Sequence, residues 1–443
     1  MNETGCHKIV IVGGGAGGLE LATRLGNRLG RRNKAEITLI DASMVHIWKP
    51  LLHEVAAGTL DSHEDDLEYL AQAHWHHFKF RLGRMDSLDR EKRIVSLAPT
   101  LDKEGNEFIP RREFHYDTLV IAVGSVTNDF GIKGVKEHCL FLDSLDQAID
   151  FHQLLLKICY AAQTQEEPIR EGQLHVAIAG AGATGVELAA ELHNSTRQLV
   201  AYGLDQIEPD KDIQFSIIEA ADSILPALPP RLSQATVDAL HNLGVDVRTG
   251  ERITEATTDG LHTDKGHFIP SAIKVWAAGI KAPDFLKDIA GLETNRINQL
   301  IVKDTLQTTR DENIFAFGDC AACPMPGTDQ TVPPRAQAAH QQASMLCKSL
   351  KKRVKGQTSL PHYRYVDYGS LVNLSRYSTV GNMMGNLMGR WSGNVMIEGL
   401  IARLVYMSLY KMHLIALHGY LQVGLRTLSN LLTHHARPRM KLH

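Results

Sequence analysis

Two glycine turns, each wedged between a β-branched run and a helical pattern, constrain this chain more than any other feature. Lys8-Ile-Val-Ile-Val12 runs directly into Gly13-Gly-Gly15-Ala-Gly-Gly18, and apolar residues then recur at helical spacing at Leu19, Ala22, Leu25 and Leu29. A second β run, Ile37-Thr-Leu-Ile40, ends on Asp41. Strand, glycine turn, helix, strand and acid together make a complete dinucleotide fingerprint. Gly13 makes the tight turn, Gly15 lets the backbone approach a pyrophosphate, and Gly18 lets the helix pack close to the strand. The helix N-terminus faces the phosphates, and Asp41 accepts hydrogen bonds from a ribose.

The same grammar returns roughly 170 residues later as a strand over 174–179, Gly180-Ala-Gly182-Ala-Thr-Gly185, a helix through Val186, Leu188, Ala189 and Leu192, and a strand over 213–218 ending on Glu219. Two fingerprints imply two dinucleotides. Glu219 has no Arg or Lys in the next four residues, so its carboxylate would repel a 2′-phosphate and favour NADH over NADPH.

With 443 residues, the chain is too long for one domain at roughly 100–200 residues each. A 44% apolar and 22% charged composition is that of a globular protein. The formal charge of −3 conceals a division: residues 376–443 carry eight Lys or Arg against Glu398 alone, or +7, which leaves −10 on residues 1–375. A basic end on an acidic body suits an anionic surface at the tail and argues against nucleic acid as a partner. Six cysteines are too few for a disulfide framework at this length, so a reducing compartment is expected. The polar start and its early glycines carry no secretory or transit pattern. No run reaches the roughly 20 apolar residues of a spanning helix.

Further segments resemble the flavoprotein family that carries FAD on a first dinucleotide site and a nicotinamide on a second. Leu119-Val-Ile-Ala-Val-Gly124 and Lys274-Val-Trp-Ala-Ala-Gly279 are similar to the strand-plus-glycine motifs that close its two nucleotide domains. Thr309-Arg-Asp-Glu-Asn-Ile-Phe-Ala-Phe-Gly-Asp319 is similar to its second FAD motif, whose final acid, here Asp319, touches the ribityl or phosphate region. Within that family the chain resembles the bacterial type II NADH dehydrogenases from about Lys8 onward. Ile47-Trp-Lys-Pro-Leu-Leu-His-Glu54 stands where thiol-reducing relatives place a redox cysteine pair, and the resemblance puts Lys49 on the FAD. Ala336-Gln337-Ala338-Ala339-His340-Gln341 matches an A-Q-x-A-x-Q pattern, which implies a quinone role for Gln337 and Gln341. Glu187, two residues into the second helix by this reading, is implied as a proton relay beside the flavin; the plainer alternative is a carboxylate favoured by the helix dipole.

The expected architecture is α/β: an FAD domain over 1–135 and 290–365, an NADH domain over 136–289, and an amphipathic helical membrane-docking region over 366–443. In the tail, Ile397, Leu400, Ile401, Leu404, Val405 and Leu409 fall on one helical stripe, with residues 412–432 continuing the pattern. A cationic amphipathic helix lies in the membrane interface, and the same stripe would serve a homodimer contact. The resemblance implies a peripheral enzyme on the cytoplasmic face of a bacterial inner membrane, passing electrons from NADH through FAD to quinone without pumping protons. No metal site is expected: Cys320-Ala-Ala-Cys323 is a single pair, and the 22 histidines show no ligand spacing. The rivals are a sulfide:quinone oxidoreductase, with Cys139, Cys159 and Cys347 as candidate thiols, and a flavin-carrying signalling protein of the apoptosis-inducing-factor type.

Overall fold

The fingerprint strands pack as the apolar runs require. The computed structural model describes residues 6–60, 67–102, 104–374, 378–384, 394–398 and 410–433. The elements that matter here run β1 (His7–Val12), α1 (Ala16–Arg28), β2 (Ala35–Asp41), α2 (Leu52–Ala57), β3 (Lys79–Leu82), β4 (Thr118–Ile121), α3 (Leu145–Thr164), β5 (His175–Ala179), α4 (Ala183–Ala201), β6 (Gln214–Ile218), β7 (Val245–Arg248), β8 (Ile273–Trp276), β9 (Ile314–Ala316), α5 (Ala336–Arg353), β10 (Ser370–Leu374), β11 (Ser378–Met384), β12 (Asn394–Glu398) and α6 (Tyr420–Thr433).

The chain divides into two units, one of Met1–Trp48, Asp66–Val126 and Ile280–Asp367, the other of Lys49–Asp65, Thr127–Gly279 and Tyr368–His443. In the first, five strands pair in parallel in the order β9-β4-β1-β2-β3. Ile9, Val10, Ile11 and Val12 are all buried, as expected of a parallel strand covered on both faces. Each such side chain contributes roughly 2 kcal/mol by leaving water. In the second unit, four parallel strands stand in the order β7-β6-β5-β8. In both sheets the chain leaves the central strand, β1 or β5, to one side and later returns on the other. That reversal is the switch point at which open α/β sheets bind ligands.

The units divide the chain differently from the expected domain limits. Residues 49–65 group with the second unit because α2 packs on α3 and α4, and the tail from Tyr368 groups there because β10 packs on α4.

Two expectations are corrected. Ile397 is not on a helix: it lies in β12, which pairs antiparallel with β11. A short apolar run does not distinguish a period of 2 from one of 3.6. The rest of that stripe, Leu400, Ile401, Leu404, Val405 and Leu409, lies outside the described residues. Second, α4 begins at Ala183, so Glu187 is its fifth residue, one turn inside, past the free N–H groups on which a dipole argument rests. Helical pattern does continue over 410–418 and α6. Tyr420, Leu421, Leu425 and Leu428 of α6 are more than half exposed, while Val423 is buried. No helix among the described residues is long and apolar enough to cross a membrane.

Candidate functional site

In the first unit the turn after β1 is built around one carboxylate. Gly13 holds φ +103, and a Cβ there would lie 2.3 Å from the Ala122 carbonyl oxygen, so only glycine fits. Its N–H reaches Ile40 O at 2.8 Å. Gly14 N–H donates to Asp41 Oδ2 at 2.6 Å and Ser43 N–H to Oδ1 at 2.8 Å. Burial pushes the Asp41 carboxyl up, against the pull of these backbone donors. A Cβ at Gly18 would sit 1.8 Å from Gly13 O, which fixes how closely α1 approaches the turn. Gly15 differs from both, because no protein atom comes within 4 Å of its added Cβ. Packing therefore does not demand a glycine at 15, whereas a phosphate group lying against the backbone would.

Gly124, at φ +70, likewise faces open space. Asp319 lies in the turn after β9, where its Oδ2 accepts from Ser125 Oγ at 2.9 Å and its carbonyl from Gln299 Nε2 at 2.9 Å. Sequence reading missed Tyr69 and His46, which converge on the same loop: Tyr69 O–H donates to Gly14 O at 2.8 Å, and His46 Nδ1 lies 3.0 Å from it. Burial lowers His46 to about 4, so it is neutral. No local motif marks either residue.

On α5, Gln337 Nε2 donates to Asp367 Oδ1 at 3.2 Å, and Arg335 pairs with the same carboxylate at 3.3 Å. Gln341 is engaged at both amide atoms: its Nε2 donates to Val366 O at 2.7 Å, and its Oε1 accepts from Val366 N–H at 3.1 Å and from Tyr363 O–H at 3.3 Å. His340, between the two glutamines, bonds the buried Glu20 of α1.

The second unit repeats the first cradle. Gly180 holds φ +100, and its N–H reaches Ile218 O at 2.8 Å. Ala181 N–H donates to Glu219 Oε2 at 2.7 Å and Ala221 N–H to Oε1 at 2.9 Å. A Cβ at Gly185 would be 2.1 Å from Gly180 O, and Gly182 again faces open space. Each carboxylate offers about four lone-pair sites, so Glu219 keeps acceptors for a ribose. Both cradles fit dinucleotides.

Glu187 belongs to this unit and is buried. Its Oε1 accepts Asn373 N–H at 3.0 Å, and His53 Nδ1 of α2 lies 3.8 Å from its Oε2. Burial, aided by Glu54 and Glu191 nearby, raises its carboxyl to about 8. Burial also lowers His53 to about 4, so at neutral pH this contact joins two uncharged groups. Lys49 also falls here, on Asp143 at 3.1 Å. Asp143 further accepts Thr127 N–H at 2.9 Å. Gly279, at φ +65, follows β8 and lies under the ring of Phe130.

Residues 7–343 match the pyridine nucleotide-disulphide oxidoreductase family. Over 447 aligned positions the chain is 43% identical to a type II NADH:quinone oxidoreductase of Haemophilus influenzae, covering 98% of this chain and 99% of the relative. The chain belongs to the type II NADH:quinone oxidoreductases. The fold of this family member is similar to NDH2 from Plasmodium falciparum in complex with NADH, at a TM-score of 0.82 and 20% identity over 98% of this chain and all of that one. A sulfide:quinone oxidoreductase from Aquifex aeolicus shares the fold at a TM-score of 0.70 and 17% identity, over 94% and 92% of the two chains.

Two experiments follow from this geometry. Gly15→Ala and Gly182→Ala should melt within about 1 °C of the parent, since no protein atom opposes the new methyl group. The first should purify depleted of flavin, and the second should weaken NADH binding at least tenfold. A drop in melting temperature equal to that of Gly18→Ala would show that packing, not ligand, sets these positions. The second experiment concerns Glu187, whose folded value of about 8 exceeds the ordinary carboxylate value of 4.5. The unfolded chain releases this proton first, so the parent loses stability between pH 4.5 and 8. The melting temperature of Glu187→Gln relative to the parent should rise across that window and level off above it. A flat difference would place the Glu187 ionisation in the ordinary carboxylate range.

Proposed function

We propose that the chain oxidises NADH and reduces a membrane quinone through bound FAD, without moving protons across the bilayer. The observation that carries this reading is the end-to-end match of a chain holding two complete dinucleotide cradles to a type II NADH:quinone oxidoreductase. Bound FAD would supply the two-electron redox chemistry between NADH and quinone. The protein positions, excludes water and holds a proton. In this reading Gly13, Gly15, Gly18, Asp41, Gly124 and Asp319 hold FAD; Lys49, also expected on the FAD, pairs with Asp143 in the second unit. Gly180, Gly182, Gly185, Glu219 and Gly279 hold NADH. Glu187 carries a proton at its carboxyl at neutral pH. Gln337 belongs to the quinone side, and Gln341 positions the segment bearing Val366 and Asp367.

The sulfide reading needs reactive thiols. Cys139 and Cys159 are buried free thiols pushed up to about 12 by burial, and burial raises Cys347 as well. Thiolates are scarce there at neutral pH. Cys320 and Cys323 are likewise buried free thiols at about 12, and no metal-binding cluster occurs among the described residues. The signalling alternative needs a basic body, and residues 1–375 carry −10.

Quinone is insoluble in water, so the enzyme meets it at a membrane. The exposed face of α6, with Tyr420, Leu421, Leu425 and Leu428, joins the +7 of the tail as the proposed docking surface for anionic lipid, each cation adding on the order of 1 kcal/mol. The cytoplasmic face of the inner membrane is the proposed side, because NADH is supplied there. A homodimer through the same face would change with the same substitutions.

The reaction is tested by the absorption spectrum of the purified protein under anaerobic conditions. The flavin bands should bleach on NADH and recover on a short-chain quinone. Bleaching by sulfide but not NADH would overturn the assignment. Docking is tested with Leu421→Ser, Leu425→Ser and Leu428→Ser combined. Co-sedimentation with anionic vesicles should fall at least tenfold, at about 25 cal/mol per Å² of lost apolar contact, while turnover with a soluble quinone persists. Unchanged sedimentation with an altered oligomeric state would assign the face to a dimer.

A further inference from the structure

Phe130 has a placement in the second unit that packing does not account for. It is 60% exposed, and its backbone sits at φ +52, a left-handed conformation that bulky side chains avoid. The loop could have buried an apolar residue, since Ile132, two positions on, packs against the core cluster of Val135, Ala179 and Trp276. Instead the turn is pinned with the ring outside. Phe130 N–H donates to Asn128 Oδ1 at 3.0 Å, Asn128 N–H donates to Gly279 O at 3.2 Å, and Trp276 Nε1 donates to Asn128 O at 2.8 Å. The ring covers Gly279 so closely that a Cβ there would lie 2.4 Å from Phe130 Cζ. Residues in such conformations persist where their surroundings over-determine them, and they concentrate at ligand sites.

The sheet order says which part of a dinucleotide meets this ring. The glycine loop follows β5, and Glu219 ends β6, the neighbour on one side. Gly279 follows β8, the neighbour on the other side. The loop touches the β8 segment directly, since a Cβ at Gly180 would lie 2.8 Å from Ala278 Cα. With the adenosine ribose on Glu219 and the pyrophosphate over Gly182, the remaining half of the molecule extends over β8, toward Gly279 and Phe130.

We infer that Phe130 is a stacking platform for the nicotinamide half of NADH, its turn pinned by Asn128 and its ring against Gly279. This rests on the assignment of the second cradle to NADH. A planar heterocycle gains offset stacking on an aromatic face, and the cationic ring of the product NAD⁺ adds a cation–π component. The ring fixes the orientation of the nicotinamide without touching the adenosine half.

The test uses the FAD-loaded full chain as Phe130→Gly and Phe130→Tyr, with calorimetric titration of NAD⁺ and ADP-ribose beside the KM for NADH. In Phe130→Gly the Kd for NAD⁺ and the KM for NADH should rise roughly tenfold. The Kd for ADP-ribose, which lacks the nicotinamide, should stay within about twofold of the parent. The melting temperature should hold or rise, since glycine accepts φ +52 without strain. Phe130→Tyr should bind all three as the parent does. Equal weakening of ADP-ribose and NAD⁺, or no change in NAD⁺, overturns the inference while leaving the NADH site standing. A parent that binds neither NAD⁺ nor ADP-ribose overturns the site assignment and the inference with it.

Discussion

Both nucleotide units depend on one hydrogen bond: the N–H of the second residue of the glycine loop, given to the acid that ends the neighbouring strand. Gly14 donates to Asp41 at 2.6 Å and Ala181 to Glu219 at 2.7 Å. The bond fixes the loop's orientation, so the next glycine, 15 or 182, presents its backbone to open space at the helix N-terminus. A charge-assisted hydrogen bond of this kind contributes roughly 1.5–3 kcal/mol. Its larger effect is geometric, because it keeps the carboxylate within reach of a ribose while the loop stays shaped for a pyrophosphate. The adjoining N–H groups of Gly13 and Gly180 reach Ile40 O and Ile218 O at 2.8 Å. Each loop is thus tied to its second strand by backbone and side chain together.

These cradles were legible in the sequence because their parts are local. Strand, turn, helix and acid fall within about 40 residues in each case, and each position has a steric reason to be what it is. What escaped the sequence is non-local. Tyr69 and His46 close on Gly14 from 55 and 32 residues away, with no periodicity linking them to the motif. The Asn373 N–H that meets Glu187 arrives from 186 residues away. Gln337 and Gln341 stand out as a pattern, yet their partners, Asp367 and Val366, follow from nothing in α5 itself. The tail misled for a different reason. Asn394-Val-Met-Ile-Glu398 is short enough to read as helix or strand, and pairing with β11 decides it.

Glu187 shows how burial converts a routine helix residue into a chemical one. In sequence an ordinary helix carboxylate stands beside the relay implied by the family resemblance, and the structure shows α4 covered on most sides, with Glu187, Leu188, Ala189, Ala190 and Glu191 all buried. An ionised carboxylate in such a place is costly, so the group keeps its proton. The neighbours reinforce this. Glu54 and Glu191 disfavour a further negative charge, and His53, uncharged through its own burial, offers no cation to stabilise one. The Asn373 N–H favours the ionised form, and burial outweighs it. The balance stands near neutrality, where a modest change in surroundings moves the proton on or off.

That balance bears on the proposed reaction through its stoichiometry. NADH gives up a hydride, which is two electrons and one proton, whereas reduction of a quinone to a quinol consumes two electrons and two protons. One proton per turnover must therefore come from the medium. A general acid serves best when its value lies near the working pH, since it is then both protonated before the transfer and able to release. In the proposed reaction a carboxyl at about 8, the value burial gives Glu187, would suit such a role better than an ordinary surface carboxylate. The stoichiometry of the proposed reaction itself asks for one proton per turnover and for no charge carried across a bilayer.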